Sequence, residues 1–268
     1  MQVLIDGSDS QVATTALTAT RLLGFSQSLN IARAKGEAAQ FAPARDTFGA
    51  LAIPLDIRPR LLYNPALDSS HFFVPGLVAI ILQLVTLFLT SFAIVREREV
   101  GTLEQLFVTP VGRAGLVLGK LLPYSMTGFV ETLIVLTAMV YLFGVPIHGS
   151  LLLFLALTAV FLFSAIAIGV LIASITRTLQ QALLLCFFGL FPIMFLSGTM
   201  TPIDSMPAAI QPWTQLSPLR HYMEIAMGIF LKGVGFAELW PAALKMAIIG
   251  AVLYLIAAMR FRQNIKAG

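Results

Sequence analysis

The charged segment from Arg96 to Pro110 contains the residue types and spacing that most clearly indicate a specific interaction. Val100, Leu103 and Phe107 recur at positions i, i+3 and i+7, which predicts an amphipathic helix with a charged opposite face. The carboxylates that project from this segment and could dock against another protein are those of Glu97, Glu99 and Glu104. A helix that flanks an apolar run and is anchored only by its arginines explains the same pattern, and both interpretations stay open.

Glu131 is the single residue most clearly indicated as functional, because it lies in the otherwise apolar run 121–144. An ionised carboxylate within hydrocarbon costs roughly 2.5–3.5 kcal/mol or more. Tyr124, Thr127 and Gly128 share its helical face, so hydroxyls could satisfy the carboxyl and a neighbouring helix could come close. Glu131 with Tyr124 and Thr127 is therefore a candidate translocation pathway that contacts substrate or a proton. A protonated, hydrogen-bonded structural group is the alternative.

The remaining reactive side chains form no catalytic pattern. His71, His148 and His221 lack metal-ligand spacing, and Cys186 has no second cysteine with which to pair. No apolar run contains a His/Glu metal pair, paired aspartates or a Ser–His combination, which argues against an intramembrane protease or lipid transferase. We expect no catalytic residue, no metal and no cofactor.

The composition explains why these few charged residues stand out. Of the 268 residues, 58% are hydrophobic and only 11% are charged, against roughly a quarter charged in soluble domains. The mean hydropathy of +0.89 requires most of the chain to lie in something other than water. A soluble enzyme, a nucleic-acid-binding module and a disordered tail are excluded. The chain is predicted to be a polytopic membrane protein.

Five apolar runs are long enough to cross a membrane as helices, which requires about 20 residues. They are continuous rather than alternating, so they are not barrel strands. The predicted fold class is all-α and polytopic, with five transmembrane helices after a small extracytoplasmic α/β fragment. The spans are 72–95, 121–144, 150–175, 179–198 and 239–259, within a transmembrane domain over 72–259.

The basic residues predict the orientation of these helices. Two sit on one side of the predicted membrane, Arg220 and Lys232. Eight sit on the other side, which the positive-inside rule assigns to the cytoplasm together with helices over 96–120 and the tail 260–268. The eight are Arg96, Arg98, Arg113, Lys120, Arg177, Arg260, Arg262 and Lys266.

Residues 1–71 are predicted to form an extracytoplasmic soluble fragment. Gln2–Ile5 and 53–62 have strand signals, and Ser10 could cap a helix from Gln11 to about Ala34. We expect one face of that helix to be apolar, formed by Val12, Ala16, Ala19 and Leu23. The fragment is too small to hold a good core alone.

Two further patterns predict how the spans pack and how the last two are joined. Small residues at four-residue spacing predict helix-packing ridges, formed by Ala165, Gly169 and Ala173 and by Ala243, Ala247 and Ala251. The outer loop 199–238 contains four prolines, so we expect short helices there. A re-entrant segment and an amphipathic connector are both compatible with its apolar face, which consists of Ile203, Met206, Ile210 and Trp213.

Several motifs together resemble the ABC-2-type exporter permeases, in particular their multidrug-type branch. The resemblance covers essentially the whole chain and is most specific at the charged motif of residues 96–106, which looks like the first coupling-helix region of that family. The motif is Arg-Glu-Arg-Glu-Val-Gly-Thr-Leu-Glu-Gln-Leu, followed by Thr109-Pro110-Val111 and Leu118-Gly119-Lys120. Tyr63-Asn64-Pro65, Val74-Pro75-Gly76, Ser197-Gly198 and Pro218 fit the same family.

The resemblance implies a dimeric transmembrane subunit of an ATP-driven efflux system in the bacterial cytoplasmic membrane, with its C-terminus inside. ATP would be bound by a separate ATP-binding-cassette subunit, since this chain has no Gly-x-x-x-x-Gly-Lys-Ser/Thr loop. The implied ATPase-coupling residues are Glu97, Glu99, Gly101, Thr102 and Glu104, with Gly101 allowing close backbone approach. Further implied partners are a second permease copy or paralogue, membrane lipid and a periplasmic adaptor, but no nucleic acid.

Such permeases usually begin with a transmembrane helix and a longer extracytoplasmic domain, which gives six spans. This chain has five and starts inside that domain, so we expect either a truncated or miscalled start, with the first helix encoded upstream of Met1, or the loss of that helix. The alternative function is a secondary transporter or another membrane transport protein without an ATPase. Such a transporter predicts repeat halves with broken helices and several buried charges, and neither pattern is visible here.

Overall fold

The computed structural model describes residues 2–7, 9–39, 58–64, 69–101 and 113–266. The chain divides into two compact units, Met1–Phe72 and Phe73–Gly268. The prediction of helices over 96–120 is tested only in part, because residues 102–112 lie outside the described ranges.

The N-terminal unit pairs two short strands with one helix. Strand β1 (Gln2–Asp6) runs parallel to β2 (Arg58–Leu62), with Gln2 opposite Arg58 and Asp6 opposite Leu62. Both strands were expected from the sequence, although residues 53–57 lie outside the described part. Helix α1 (Ser10–Ala39) lies between the two strands in the chain, as the crossover helix of a parallel strand pair does.

Two details of α1 differ from the prediction. Asp9 caps the helix rather than Ser10, because its Oδ1 accepts the backbone N–H groups of Gln11 at 2.9 Å and Val12 at 3.2 Å. The helix also extends to Ala39 rather than to about Ala34. Val12 and Leu23, on the face named in the prediction, are 39% and 69% exposed. The buried side chains of α1 lie on another face, which includes Ser10, Ala13 and Ser28.

Five helices of the described chain are long and apolar enough to cross a membrane, which confirms the predicted fold class. A helix rises 1.5 Å per residue, so the 25 residues of Leu151–Ile175 span about 37 Å, enough for a hydrocarbon core of about 30 Å. The five are α2 (Ser70–Glu99), α3 (Arg113–Tyr141), α4 (Leu151–Ile175), α5 (Leu179–Leu196) and α7 (Phe236–Lys266).

Helix α4 packs through small residues, as its predicted ridge requires. Ala165, Gly169 and Ala173 are all buried. A Cβ on Gly169 would lie 2.8 Å from Cβ of Thr90, and the Ser91 hydroxyl donates to the Gly169 carbonyl at 2.9 Å. Helices α2 and α4 therefore touch nearly backbone to backbone.

Helix α7 uses a different face from the one predicted. Ala243 is buried, but Ala251 is exposed. The close contact is at Gly250, where a Cβ would lie 2.6 Å from Oγ and 3.0 Å from Cα of Ser164 on α4. The Ser164 hydroxyl also donates to the Met246 carbonyl at 2.8 Å. The ridge is thus rotated toward Met246 and Gly250.

The connection between α5 and α7 contains a buried helix. After two 3-10 turns at Ile203–Ser205 and Gln211–Leu216, α6 (Pro218–Met227) continues into a π turn at Gly228–Lys232. Tyr222 of α6 stacks on Phe161 at 4.0 Å and shares a 2.9 Å hydrogen bond with the Thr158 hydroxyl.

Thr158 and Phe161 lie about 11–15 Å along α4 from its first residue. A re-entrant segment would have to pack against α4 at such a distance from its end, as α6 does. In contrast, Trp213 on the predicted apolar face is 63% exposed. The depth of the α5–α7 connection in a membrane stays a prediction.

The contact between α4 and α7 predicts a difference between two glycine substitutions. Gly250→Ala should lower the free energy of unfolding by about 1–3 kcal/mol relative to Gly189→Ala, because its new methyl group overlaps the Ser164 backbone. Gly189 is the matched control, because it is helical and its Cβ would meet no described atom within 4 Å. Thermal unfolding in detergent micelles measures the difference. Equal stability of the two variants would contradict the packing.

Candidate functional site

Helix α2 ends in a turn that contains the first half of the predicted coupling motif. The Val100 amide donates to the Arg96 carbonyl at 3.0 Å, and the Gly101 amide donates to the Arg98 carbonyl at 3.2 Å. Gly101 has φ +78°, a left-handed conformation that favours glycine, and its Cβ would meet no described atom within 4 Å. The backbone turn therefore requires this glycine, whereas its close approach to a partner stays a prediction.

Arg98 binds the end of α4. Its Nη1 donates to the carbonyl of Ala173 at 3.0 Å and to that of Thr176 at 2.5 Å. These carbonyls lie at the C-terminus of α4, where the helix dipole is negative and the last carbonyl groups lack helical partners. A guanidinium is suited to this position because it is charged and presents several donors.

Glu99 binds the start of α5. Its Oε1 accepts the backbone N–H of Leu179, the first residue of that helix, at 2.8 Å. Thr178 is the N-cap, and its hydroxyl accepts the Gln181 amide at 3.3 Å. A carboxylate beside the positive end of a helix dipole is favourable. Arg98 and Glu99 thus hold the two helix ends that flank the α4–α5 turn, and we call this set of contacts the clasp.

The predicted coupling residues therefore do not form one uniform surface. Glu99 is exposed, but one of its carboxylate oxygens accepts a hydrogen bond from the first N–H of α5. Glu97 is half-buried in the last turn of α2 and has an interaction within the chain. Thr102 and Glu104 lie outside the described residues. The role of Arg98 was not predicted from the sequence, because its contacts join residues 75 and 78 positions apart.

Glu131 lies in α3 without the hydroxyl partners expected for it. Its Oε2 is buried and has no hydrogen-bond partner among the described residues. Thr127 is exposed, and its hydroxyl donates to the Pro123 carbonyl at 2.9 Å instead. Tyr124 is half-buried. Gly128 does allow close approach, since its Cβ would lie 2.7 Å from Cδ2 of Leu162.

Helix α2 has a buried polar face that was not predicted from the sequence. Gln83, Thr86 and Thr90 are at most 2% exposed, and their spacing of i, i+3 and i+7 places them on one helical face. Both amide atoms of Gln83 and both threonine hydroxyls lack partners among the described residues. The i, i+3 and i+7 spacing of these polar residues is visible in the sequence and could have predicted this face. Such groups are costly unless water or another molecule satisfies them.

The α5–α7 connection carries a second polar cluster. His221 is 1% exposed, and its Nε2 lies 2.9 Å from the Gln215 carbonyl oxygen. Its Nδ1 lies 4.0 Å from Oε2 of Glu224. Lys245 of α7 donates to Oε1 of Gln215 at 3.2 Å. The Lys245–Gln215 hydrogen bond ties the connection to α7.

Five long apolar helices, joined by a clasped turn and a buried connecting helix, define a multi-pass helical membrane protein. The sequence model described as "ABC-2 family transporter protein" matches residues 1–259. The chain therefore belongs to the ABC-2 transporter family, as the resemblance indicated.

Several characterised or named proteins are similar to this chain. The "Probable multidrug ABC transporter permease YbhS" of Escherichia coli K12 is 33% identical over 259 residues, which is 96% of this chain and 63% of that protein. The "Inner membrane transport permease YhhJ" of the same organism is 35% identical over 214 residues, 79% of this chain and 57% of that protein.

A more distant similarity extends to a eukaryote. The "ABC transporter G family member 20" of Dictyostelium discoideum is 29% identical over 212 residues, which is 78% of this chain and 29% of that protein. The chain thus spans 63% or less of the length of these three relatives.

The unpartnered carboxyl oxygen of Glu131 predicts a stabilising substitution. Glu131→Leu should raise the free energy of unfolding by about 1–3 kcal/mol, because it removes a buried polar atom without a partner. Glu131→Gln is the control, since it keeps a polar group of similar size. Thermal unfolding in micelles compares the three proteins. A Leu variant less stable than the unmodified protein would mean that the carboxyl is satisfied after all.

Proposed function

We propose that this protein is the transmembrane permease subunit of an ABC-type exporter. It would move a substrate out across the membrane with ATP hydrolysed by a separate nucleotide-binding subunit. The observation that carries the proposal is family membership over residues 1–259, and the charged motif at the end of α2 supports it. The relatives named as permeases favour the same division of labour.

The proposed complex contains two permease chains and two ATPase subunits. A second copy of this chain or a paralogue would complete the permease, and a periplasmic adaptor is a further proposed partner. We propose a bacterial inner-membrane location with the C-terminus in the cytoplasm. The basic residues near the end of α2 and in the α4–α5 turn support this orientation, which the positive-inside rule favours.

Glu97 and Glu104 are the proposed contacts with the ATPase, together with Gly101 and Thr102. Carboxylates near an anionic leaflet are repelled by lipid, so a protein surface is the better partner for them. Glu131, Tyr124 and Thr127 remain the proposed translocation pathway. The incomplete hydrogen bonding of Glu131 supports that assignment, because buried polar groups without partners are concentrated where function needs them.

Charge reversal in the coupling motif tests the ATPase contact. Glu97→Lys and Glu104→Lys should each weaken co-purification with an ATP-binding-cassette ATPase co-expressed with the permease by tenfold or more. Loss of one partner from a buried interfacial charge pair costs about 2–5 kcal/mol, and 1.4 kcal/mol is tenfold. Quantitative pull-down in detergent measures the effect.

Asp204→Lys is the matched charge reversal, on an exposed residue of the α5–α7 connection. It should leave ATPase binding unchanged. Thermal unfolding of each variant separates lost docking from lost folding. If Glu97→Lys and Glu104→Lys both bind as Asp204→Lys does, the motif is an anchor. If the unmodified protein binds no such ATPase, the proposed function is wrong.

Single cysteines in two exposed turns test the orientation. In a Cys186→Ser background, Leu142→Cys should react with a membrane-impermeant maleimide from outside, and Arg177→Cys only from the cytoplasmic side. Leu142 is 78% exposed and Arg177 is exposed, so both new thiols are accessible. Because Cys186 is the one cysteine of the sequence, its replacement leaves only the new thiols to be labelled. Labelling of intact cells and inverted vesicles is compared. Reaction of both thiols from one side would contradict the topology.

A further inference from the structure

The clasp joins the coupling motif to helices that are distant from it in sequence. Residues 102–112 are covalently attached only to α2 and α3, so a push on them acts first on those two helices. Arg98 and Glu99 add a second connection, to the last carbonyls of α4 and the first N–H of α5. Both contacts lie within the last turn of α2, immediately before the proposed docking surface.

The chemistry of the clasp matches the two helix ends that it contacts. The cation of Arg98 meets the negative end of the α4 dipole, and the anion of Glu99 meets the positive end of the α5 dipole. Exchange of the two charges would be unfavourable at both ends. A helix anchored to a membrane by arginine alone would gain nothing from a carboxylate directed at the N–H of Leu179.

The region beside the clasp is closely packed, so displacement of one helix end cannot occur alone. One apolar cluster draws residues from α2, α4, α5 and α7, and close packing transmits small shifts because interiors deform little. Further along, α4 carries the Thr158 contact with Tyr222 of α6. The buried members of this cluster are Ile94, Val95, Ile166, Val170, Ala173, Ala182 and Ala257.

We propose that Arg98 and Glu99 are positioning residues that make the α4–α5 turn move together with the coupling motif. This inference rests on the proposed function, because the motion would come from the ATPase. Glu99 is therefore a link within the permease rather than a docking contact. The cytoplasmic ends of α2, α4 and α5 respond to nucleotide as one body.

Hydrogen exchange in the native complex tests the proposal. The permease with its ATPase, in lipid nanodiscs, is compared with ADP and with ATP plus vanadate, and exchange is measured over residues 176–182. The unmodified complex should show a nucleotide-dependent difference at this turn. Glu99→Gln should keep it, because the amide oxygen can still accept the Leu179 N–H.

Glu99→Leu and Arg98→Met should abolish most of that difference while the ATPase stays bound. In Glu99→Leu, exchange at the start of α5 should also accelerate about tenfold, the factor that corresponds to a lost charge-assisted hydrogen bond of 1.4 kcal/mol. A purely structural cap would accelerate exchange equally with both nucleotides and leave the difference intact.

The outcomes separate the two ideas. If the unmodified permease binds no ATPase, the proposed function fails and the clasp proposal falls with it. If the ATPase binds but the turn does not respond to nucleotide, or if Glu99→Leu and Arg98→Met keep the full response, the clasp proposal is overturned and the proposed function stands. Should one of these variants fail to fold, the other together with Glu99→Gln still decides.

Discussion

The first N–H groups and the last carbonyl groups of a helix have no partners within the helix, so each helix end must find other hydrogen-bond partners. The α4–α5 turn meets this demand over three residues, Thr176 to Thr178. The Thr176 amide and hydroxyl both donate to the Ile172 carbonyl. The side chains of Arg98 and Glu99 supply further hydrogen bonds to the last carbonyls of α4 and the first N–H of α5. These contacts hold the last turn of α2 beside the α4–α5 turn.

The same demand divides the polar residues inside the bundle into two groups. Ser91 and Ser164 donate to backbone carbonyls of neighbouring helices, so they hold helices together and need nothing further. Gln83, Thr86 and Thr90 are equally buried and have no such partners in the described chain. A side chain of the second group is tolerated where water, another chain or a transported molecule completes its hydrogen bonds.

Hydropathy was sufficient to predict the five long helices, because a lipid-spanning helix satisfies its own backbone and needs only length and apolar composition. It did not locate α6, which carries His221 and Glu224 and is only ten residues long. Helix faces were also poorly predicted. In a run that is apolar on every side, periodicity does not distinguish the packing face, so Gly250 was overlooked in favour of Ala251. Contacts such as Arg98 with Thr176 arise only from tertiary packing.

The three carboxylates of the coupling motif looked equivalent in the sequence, but their surroundings make them different probes. A charge change at Glu99 first breaks the contact with Leu179 and weakens the start of α5. Loss of ATPase binding after such a change would not identify a docking contact, because a displaced α5 could reshape the docking surface indirectly. Glu97 also interacts within the chain, so its variants need a folding control. Docking is therefore identified by a loss of binding that occurs without a loss of stability.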